Sequence, residues 1–334
     1  MKTLKNWTLH SQSDHHLELL VDGQHTLCLY VLEETLFRVL VKRKGELALD
    51  RTWSIAPAQD VPWEGRPRDD LSGFRCPAWT LSHTEHTLTV ESAALRVTVH
   101  QPLWLEWHYR DDAGQWQWLA GDRPTSAYLL NAHGDGVAHY LRREKTERFY
   151  GLGEKAGDLQ RNGKRYEMRN LDAMGYNAAS TDPLYKHIPF TITRREQVSF
   201  GLFYDNLSSC WLDLGNELDN YHQPYRRYQA EAGDLDYYLF FGPRVLDVTK
   251  AFVRLTGKTC FGPKWSLGYS GSTMHYTDAP DAQHQLQQFI QLCRQHAIPC
   301  DSFQLSSGYT SIGNKRYVFN WNYEKVPQPR QLSA

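Results

Sequence analysis

The apolar spacing of this chain changes once, near residue 244, and that change limits the folds open to it. Before it, short apolar or alternating runs follow one another with turn residues between them, which is the pattern of successive β-strands. Residues 26–32 and 36–42 form one expected strand pair. Residues 87–90 and 95–100 flank Glu91-Ser-Ala-Ala94, and residues 103–109 and 115–119 flank the glycine-bearing turn Asp111-Asp-Ala-Gly114. Residues 190–193 and 198–204 flank Arg194-Arg-Glu-Gln197, and residues 236–241 close the series. Many strands at short spacing, with no competing helical period, predict a β-sandwich or barrel over residues 1–243.

After the change, Val245, Val248, Phe252 and Leu255 follow helical spacing, with Gly257 at the position of a C-cap, so residues 244–260 read as a linking helix. Residues 265–270 then read as a strand. A helix follows with Leu286, Phe289, Ile290, Cys293 and Ala297 on one face, opened by Asp278 as N-cap with Pro280 in the first turn. Residues 298–305 read as a second strand. Strand, helix, strand is the crossover that parallel pairing requires.

Composition excludes several functions. A formal net charge of −1 offers no basic stripe for nucleic acid. No stretch approaches the roughly 18 apolar residues that cross a membrane. The first sixteen residues lack an apolar core, so no secretory signal is expected. The six cysteines are widely spaced without Cys-x-x-Cys, which points to reduced thiols and a cytoplasmic setting. Aromatic residues make up 13% of the chain, which suits a large β core and also leaves rings to stack on sugars.

Gly151-x-Gly153-x-x-x-Gly157 is one residue too long for a dinucleotide fingerprint, and turn-like sequence rather than a helix follows it. A glycine-dependent bend between strands is the expected role. The histidines show no zinc-ligand spacing, and Ser306 and Ser307 have no assignable triad partners. No metal and no cofactor are expected. The polar segment 170–189 is a long loop between two β runs, a frequent location for function.

Five motifs appear in order: Phe149-Tyr-Gly-Leu-Gly-Glu154, Asn170-Leu-Asp172, Asp182-Pro-Leu-Tyr185 with Ile188-Pro-Phe190, Pro263-Lys-Trp-Ser-Leu-Gly268 and Ile298-Pro-Cys-Asp301. Together they resemble glycoside hydrolase family 31, the α-glucosidase and α-xylosidase family, over residues 150–330. The first 140 residues match it in β character only. The resemblance implies a mainly β chain: an N-terminal β-sandwich domain (1–243), a linking helix (244–260), and the start of a (β/α)8 catalytic barrel (261–334), truncated after about two of eight units. It implies an α-glycoside as partner. Asp172 falls where a loop of the N-terminal domain reaches the terminal sugar, and Ser306 and Tyr309 fall at the carboxyl end of the second barrel strand, the edge that carries barrel active sites.

Two departures accompany the match. α-Glucosidases of the family usually show Asp-Ile-Asp-Tyr where this chain has Ser306-Ser-Gly-Tyr309, so Ser306 and Gly308 replace both carboxylates. This implies a substrate other than a simple α-glucoside. Asp301 remains, early in its strand, with a structural role expected. Family members are retaining enzymes with a nucleophilic and an acid/base carboxylate about 5–5.5 Å apart. Both belong to later barrel strands, so no catalytic residue is expected within these 334 residues. The competing readings are a non-catalytic carbohydrate-binding module built on the sandwich and a nonfunctional remnant of the enzyme.

Overall fold

The computed structural model describes residues 1–332. The chain divides into two compact units, Met1–Lys258 and a smaller one that begins at Thr259.

The first unit is built around an eight-stranded antiparallel sheet. Its central strand pair, His25–Glu33 and Leu36–Lys42, shows why the sequence folds this way. Successive strand side chains point to opposite faces. Leu27, Leu29 and Val31 enter one core together with Phe37, Val39 and Val41. Cys28, Tyr30 and Leu32 enter a second core together with Leu36 and Leu40. Both faces are buried, so the run is continuously apolar rather than alternating. The first core also takes side chains from a five-stranded and a six-stranded sheet, which gives the layered sandwich. Each fully buried Leu, Val or Phe there contributes roughly 1.5–3 kcal/mol.

The second core is closed by α1 (Val245–Thr256), which buries Val248 and Leu255. Phe252 stacks on Phe190 with centroids 4.0 Å apart. The helix ends at Gly257, whose φ of +88° lies where side-chain-bearing residues are strained. Residues 149–157 form no phosphate loop. The strand Arg148–Gly153 pairs with His187–Arg195 through a register shift between Gly151 and Gly153. A Cβ on Gly151 would lie 2.5 Å from the Phe190 carbonyl oxygen, so the bulge needs glycine.

In the second unit the β/α pattern is present but its elements are shorter and shifted. Residues 265–270 do not form a strand: a 3-10 turn occupies Lys264–Leu267, and the strand is Ser270–Gly271. It pairs in parallel with Ser302–Phe303, which replaces the longer strand expected over 298–305. Parallel pairs lend each other limited stability when few neighbours flank them. Asp278 does not cap the long helix. It is the last residue of a separate short helix, α2 (Met274–Asp278), where the Thr273 hydroxyl accepts the amide of His275. Pro280 keeps Ala279 extended, and α3 (Ala282–Gln295) starts after Asp281. Ala297 lies beyond α3 in a left-handed conformation, φ +54°.

Candidate functional site

The segment from Arg169 to Lys186 contains no regular element, and side chains rather than a backbone ladder hold it in place. Asp182 is the main tie. Its Oδ2 accepts the amide of Glu167 at 2.6 Å, and its Oδ1 pairs with Lys155 Nζ at 2.6 Å. The Lys155 side chain is completely buried and also donates to the Glu167 carbonyl. Burial pulls its pKa down, and Asp182 opposes that shift. Further out, the Ala178 carbonyl accepts the amide of Gly157 at 2.8 Å, and Thr181 Oγ1 accepts the amide of Asn177. The loop is therefore pinned at its base and middle.

Asp172 sits on the exposed part of this loop. The Tyr185 phenol lies within the influence of the Asp172 carboxylate, which raises the tyrosine pKa. Met174, Tyr176 and Tyr185 expose large apolar surface around it. An exposed carboxylate has lone pairs to offer hydroxyl donors. Next to the loop, a cleft of about 390 Å³ is lined by Asn170, His187, Asp205, Asn206 and Phe252 among others. His187 Nε2 donates to the Leu184 carbonyl at 3.0 Å, and burial lowers its pKa, which favours the neutral ring near pH 7. Lys155, Asp182 and Tyr185 escaped the sequence reading as site-forming residues. The Asp182-Pro-Leu-Tyr185 motif was the signal for two of them, and Lys155 lies inside the Gly151–Gly157 run.

Ser306 and Tyr309 lie together in the second unit, and Asp172 lies in the first. Ser306 immediately precedes a 3-10 turn, Ser307–Thr310, that follows the Ser302–Phe303 strand. The Tyr309 ring packs on Trp321 with centroids 4.7 Å apart, and its carbonyl accepts the amide of Asn322. Between them Gly308 is buried against the end of α2. A Cβ there would lie 2.4 Å from Asp278 Oδ1 and 2.5 Å from the Asp278 amide nitrogen. Lys325 Nζ ties the same turn by donating to the Asp278 carbonyl at 3.0 Å and Ser311 Oγ at 2.8 Å. The backbone approach leaves no room for a carboxylate at 308. Asp278 instead pairs with Arg316 at 3.3 Å. Asp301 lies against Gly268, and its amide donates to the Tyr269 carbonyl. Among the described residues no group of three or more His, Cys, Asp or Glu is placed to hold a metal ion.

Residues 26–213 match the family model described as the glycosyl hydrolase 31 N-terminal galactose mutarotase-like domain, and residues 259–334 match the glycosyl hydrolases family 31 TIM-barrel domain. The chain belongs to glycosyl hydrolase family 31. This family 31 chain is 34% identical over 191 residues to alpha-glucosidase 2 of Bacillus thermoamyloliquefaciens, covering 57% of the chain and 23% of that protein. It is 25% identical over 260 residues to alpha-xylosidase XylQ of Lactiplantibacillus pentosus, covering 77% of the chain and 32% of that protein. It thus spans about a quarter to a third of the length of these relatives. Its fold is similar to that of a family 31 dextranase from Flavobacterium johnsoniae, crystallised with isomaltotriose: TM-score 0.77, 22% identity, 99% of this chain and 37% of that one. It is also similar to a glucosidase II alpha subunit, TM-score 0.71, 17% identity, 100% of this chain and 42% of that one.

Proposed function

We propose that this chain supplies substrate-binding elements of a family 31 glycosidase that hydrolyses O-glycosidic bonds of α-glycosides with retention, and that it does not turn over substrate by itself. In this reading residues 1–243 are the β-sandwich domain, 244–260 the linker and 261–334 the beginning of the barrel. Asp172, exposed on its loop, accepts hydrogen bonds from hydroxyls of the terminal sugar. Ser306 and Tyr309 bind substrate at the carboxyl end of the second barrel strand. The observation that carries the reading is the Asp172 carboxylate, displayed on a loop whose base is fixed by Asp182 and Lys155. Charge-assisted hydrogen bonds to a preset carboxylate suit a polyol ligand. The nucleophile and the acid/base belong to later barrel strands, as the retaining mechanism needs two carboxylates about 5–5.5 Å apart. Asp278, paired with Arg316, and Asp301, packed on Gly268, do not form such a pair.

Gly308 bears on the substrate. The turn that excludes a side chain there removes an acceptor that α-glucosidases of the family carry, so a sugar other than a simple α-glucoside is expected. Two measurements test the proposal. Saturation-transfer NMR with glucose, xylose and galactose should show binding of at least one sugar that Asp172→Asn abolishes while the near-UV spectrum stays the same. Aryl α-glycosides should remain uncleaved by the purified 334-residue chain. Turnover at ordinary enzyme rates, or binding indifferent to Asp172→Asn, rejects it.

A further inference from the structure

Two tryptophans on one loop of the first unit stand open to solvent, Trp53 at 46% and Trp63 at 92% exposure. The loop itself is fixed. Arg51–Thr52 and Arg66–Pro67 pair at its base, and within it Ile55 and Ala56 are buried. The Ala56 amide donates to the Leu255 carbonyl at 2.8 Å, and Arg254 donates to the Pro57 carbonyl, so α1 holds this part of the loop. Trp53 is set by its neighbours. Its indole Nε1 donates to the Trp63 carbonyl at 3.1 Å. Gly65, at φ +86°, lies against the ring, and a Cβ there would sit 2.8 Å from Trp53 Cε2. Glycine lets the backbone approach the indole, whose polar edge is satisfied inside the loop. By contrast, two other surface indoles of this unit are covered. Trp116 carries the guanidinium groups of Arg96 and Arg110 at 4.3 and 4.6 Å, and Trp118 those of Arg142 and Arg195 at 5.2 and 4.4 Å. Polar groups flank the open pair. Asp50, Asp60 and Glu64 are exposed. Arg51 pairs with Asp50 at 3.7 Å and donates to the Glu64 carbonyl at 3.3 Å. The Glu64 carboxylate has no hydrogen bond or ion pair among the described residues.

We propose that Trp53 and Trp63 form an accessory platform that stacks pyranose rings of a neutral oligosaccharide. A pyranose offers a C–H face to an indole and a rim of hydroxyls that donate to carboxylates such as Glu64. The ring of Trp53 is held before any ligand arrives, so little ordering cost falls on binding. The chemistry of the patch disfavours other occupants. Two indoles bury about 300–500 Å² together, short of the roughly 800 Å² that each partner contributes to a stable protein interface. The three carboxylates repel the phosphates that would accompany a stacked nucleobase. The platform goes beyond the Asp172 reading and stands if that reading fails.

Native affinity electrophoresis of the 334-residue chain through gels containing dextran, soluble starch or xylan tests it. At least one polysaccharide should retard the protein. Trp63→Ala should weaken that binding about three- to tenfold, the cost of one lost aromatic stacking contact. Trp53→Ala should do the same. Asp172→Asn should leave the apparent dissociation constant of the platform unchanged. Trp63 is almost fully exposed, so its replacement keeps the thermal midpoint and remains informative even if Trp53→Ala unfolds the loop. Absence of retardation in all three gels overturns the proposal, as does retardation indifferent to Trp63→Ala. Loss of binding in Asp172→Asn alone rejects the platform while supporting the Asp172 reading. A dimer in sedimentation that Trp63→Ala dissolves, or oligothymidylate binding that it abolishes, would assign the patch to another occupant and also overturns it.

Discussion

Removing Asp182 should damage this protein far more than removing its partner Lys155. The Lys155 side chain has no solvent exposure, whereas the Asp182 side chain keeps 24%. Asp182→Ala leaves a buried ammonium with one carbonyl as acceptor, and stranding one member of a buried ion pair costs about 3–5 kcal/mol. Partial hydration of the site places the expected loss near the lower end, about 3 kcal/mol. In a unit of this size each kcal/mol moves the midpoint by about 2–4 °C, so a drop of about 6–12 °C follows. Lys155→Met removes the buried charge together with its desolvation cost and frees Asp182 to meet water, so its cost should stay within about 1 kcal/mol. The double variant should recover most of the Asp182→Ala loss. A pH signature accompanies it. Burial lowers the Lys155 pKa in the folded state, and Asp182 raises it back in part. Between the depressed folded pKa and the ordinary lysine value the unfolded chain binds more protons, so stability rises with pH there. Without Asp182 the depression deepens, and the Asp182→Ala deficit should shrink as pH climbs toward 10. Calorimetry of the three variants between pH 7 and pH 10 is the assay. Equal losses for Asp182→Ala and Lys155→Met, or a deficit that ignores pH, would refute the argument.

Three further outcomes are expected. Gly308→Asp, which restores the family carboxylate, should destabilise the second unit by about 1–3 kcal/mol through overlap with the α2 backbone and should gain no glucose binding, as read by proteolysis at residues 296–320 and by sugar titration. Burial pushes the Glu147 carboxyl pKa up despite nearby Arg226 and Arg195. The folded state then holds its proton longer than the unfolded chain, so stability falls as pH rises above the ordinary glutamate range, and urea unfolding from pH 4 to 7 should show Glu147→Gln flattening that fall. Tyr185→Phe should weaken sugar binding several-fold without changing the thermal midpoint. A fall in the midpoint comparable to that of Asp182→Ala would show that the phenol is structural.

The legible parts of this molecule are those where local sequence and tertiary environment agree. Residues 26–42 read as strands because two-sided burial leaves a continuous apolar run, and α1 reads as a helix because one stripe, Val248 to Leu255, carries its burial. The strands at Ser270–Gly271 and Ser302–Phe303 could not be placed from sequence. Each is two residues long, and their pairing depends on the close approach of Asp301 to Gly268, which no periodicity encodes. The site divides the same way. Asp172 is visible through an ordered set of motifs, but the contact that fixes its loop joins residues 27 apart, Lys155 and Asp182, and Lys155 lies inside a glycine motif that reads as a bend between strands. Gly308 shows the limit most clearly. In sequence it is a lost carboxylate. In three dimensions it is the residue that lets α2 approach the turn bearing Tyr309, with Lys325 bridging the two. An aspartate at 308 alone therefore has no room in this turn. The α2 end would have to move first, and with it the Asp278–Arg316 pair that closes this edge of the unit.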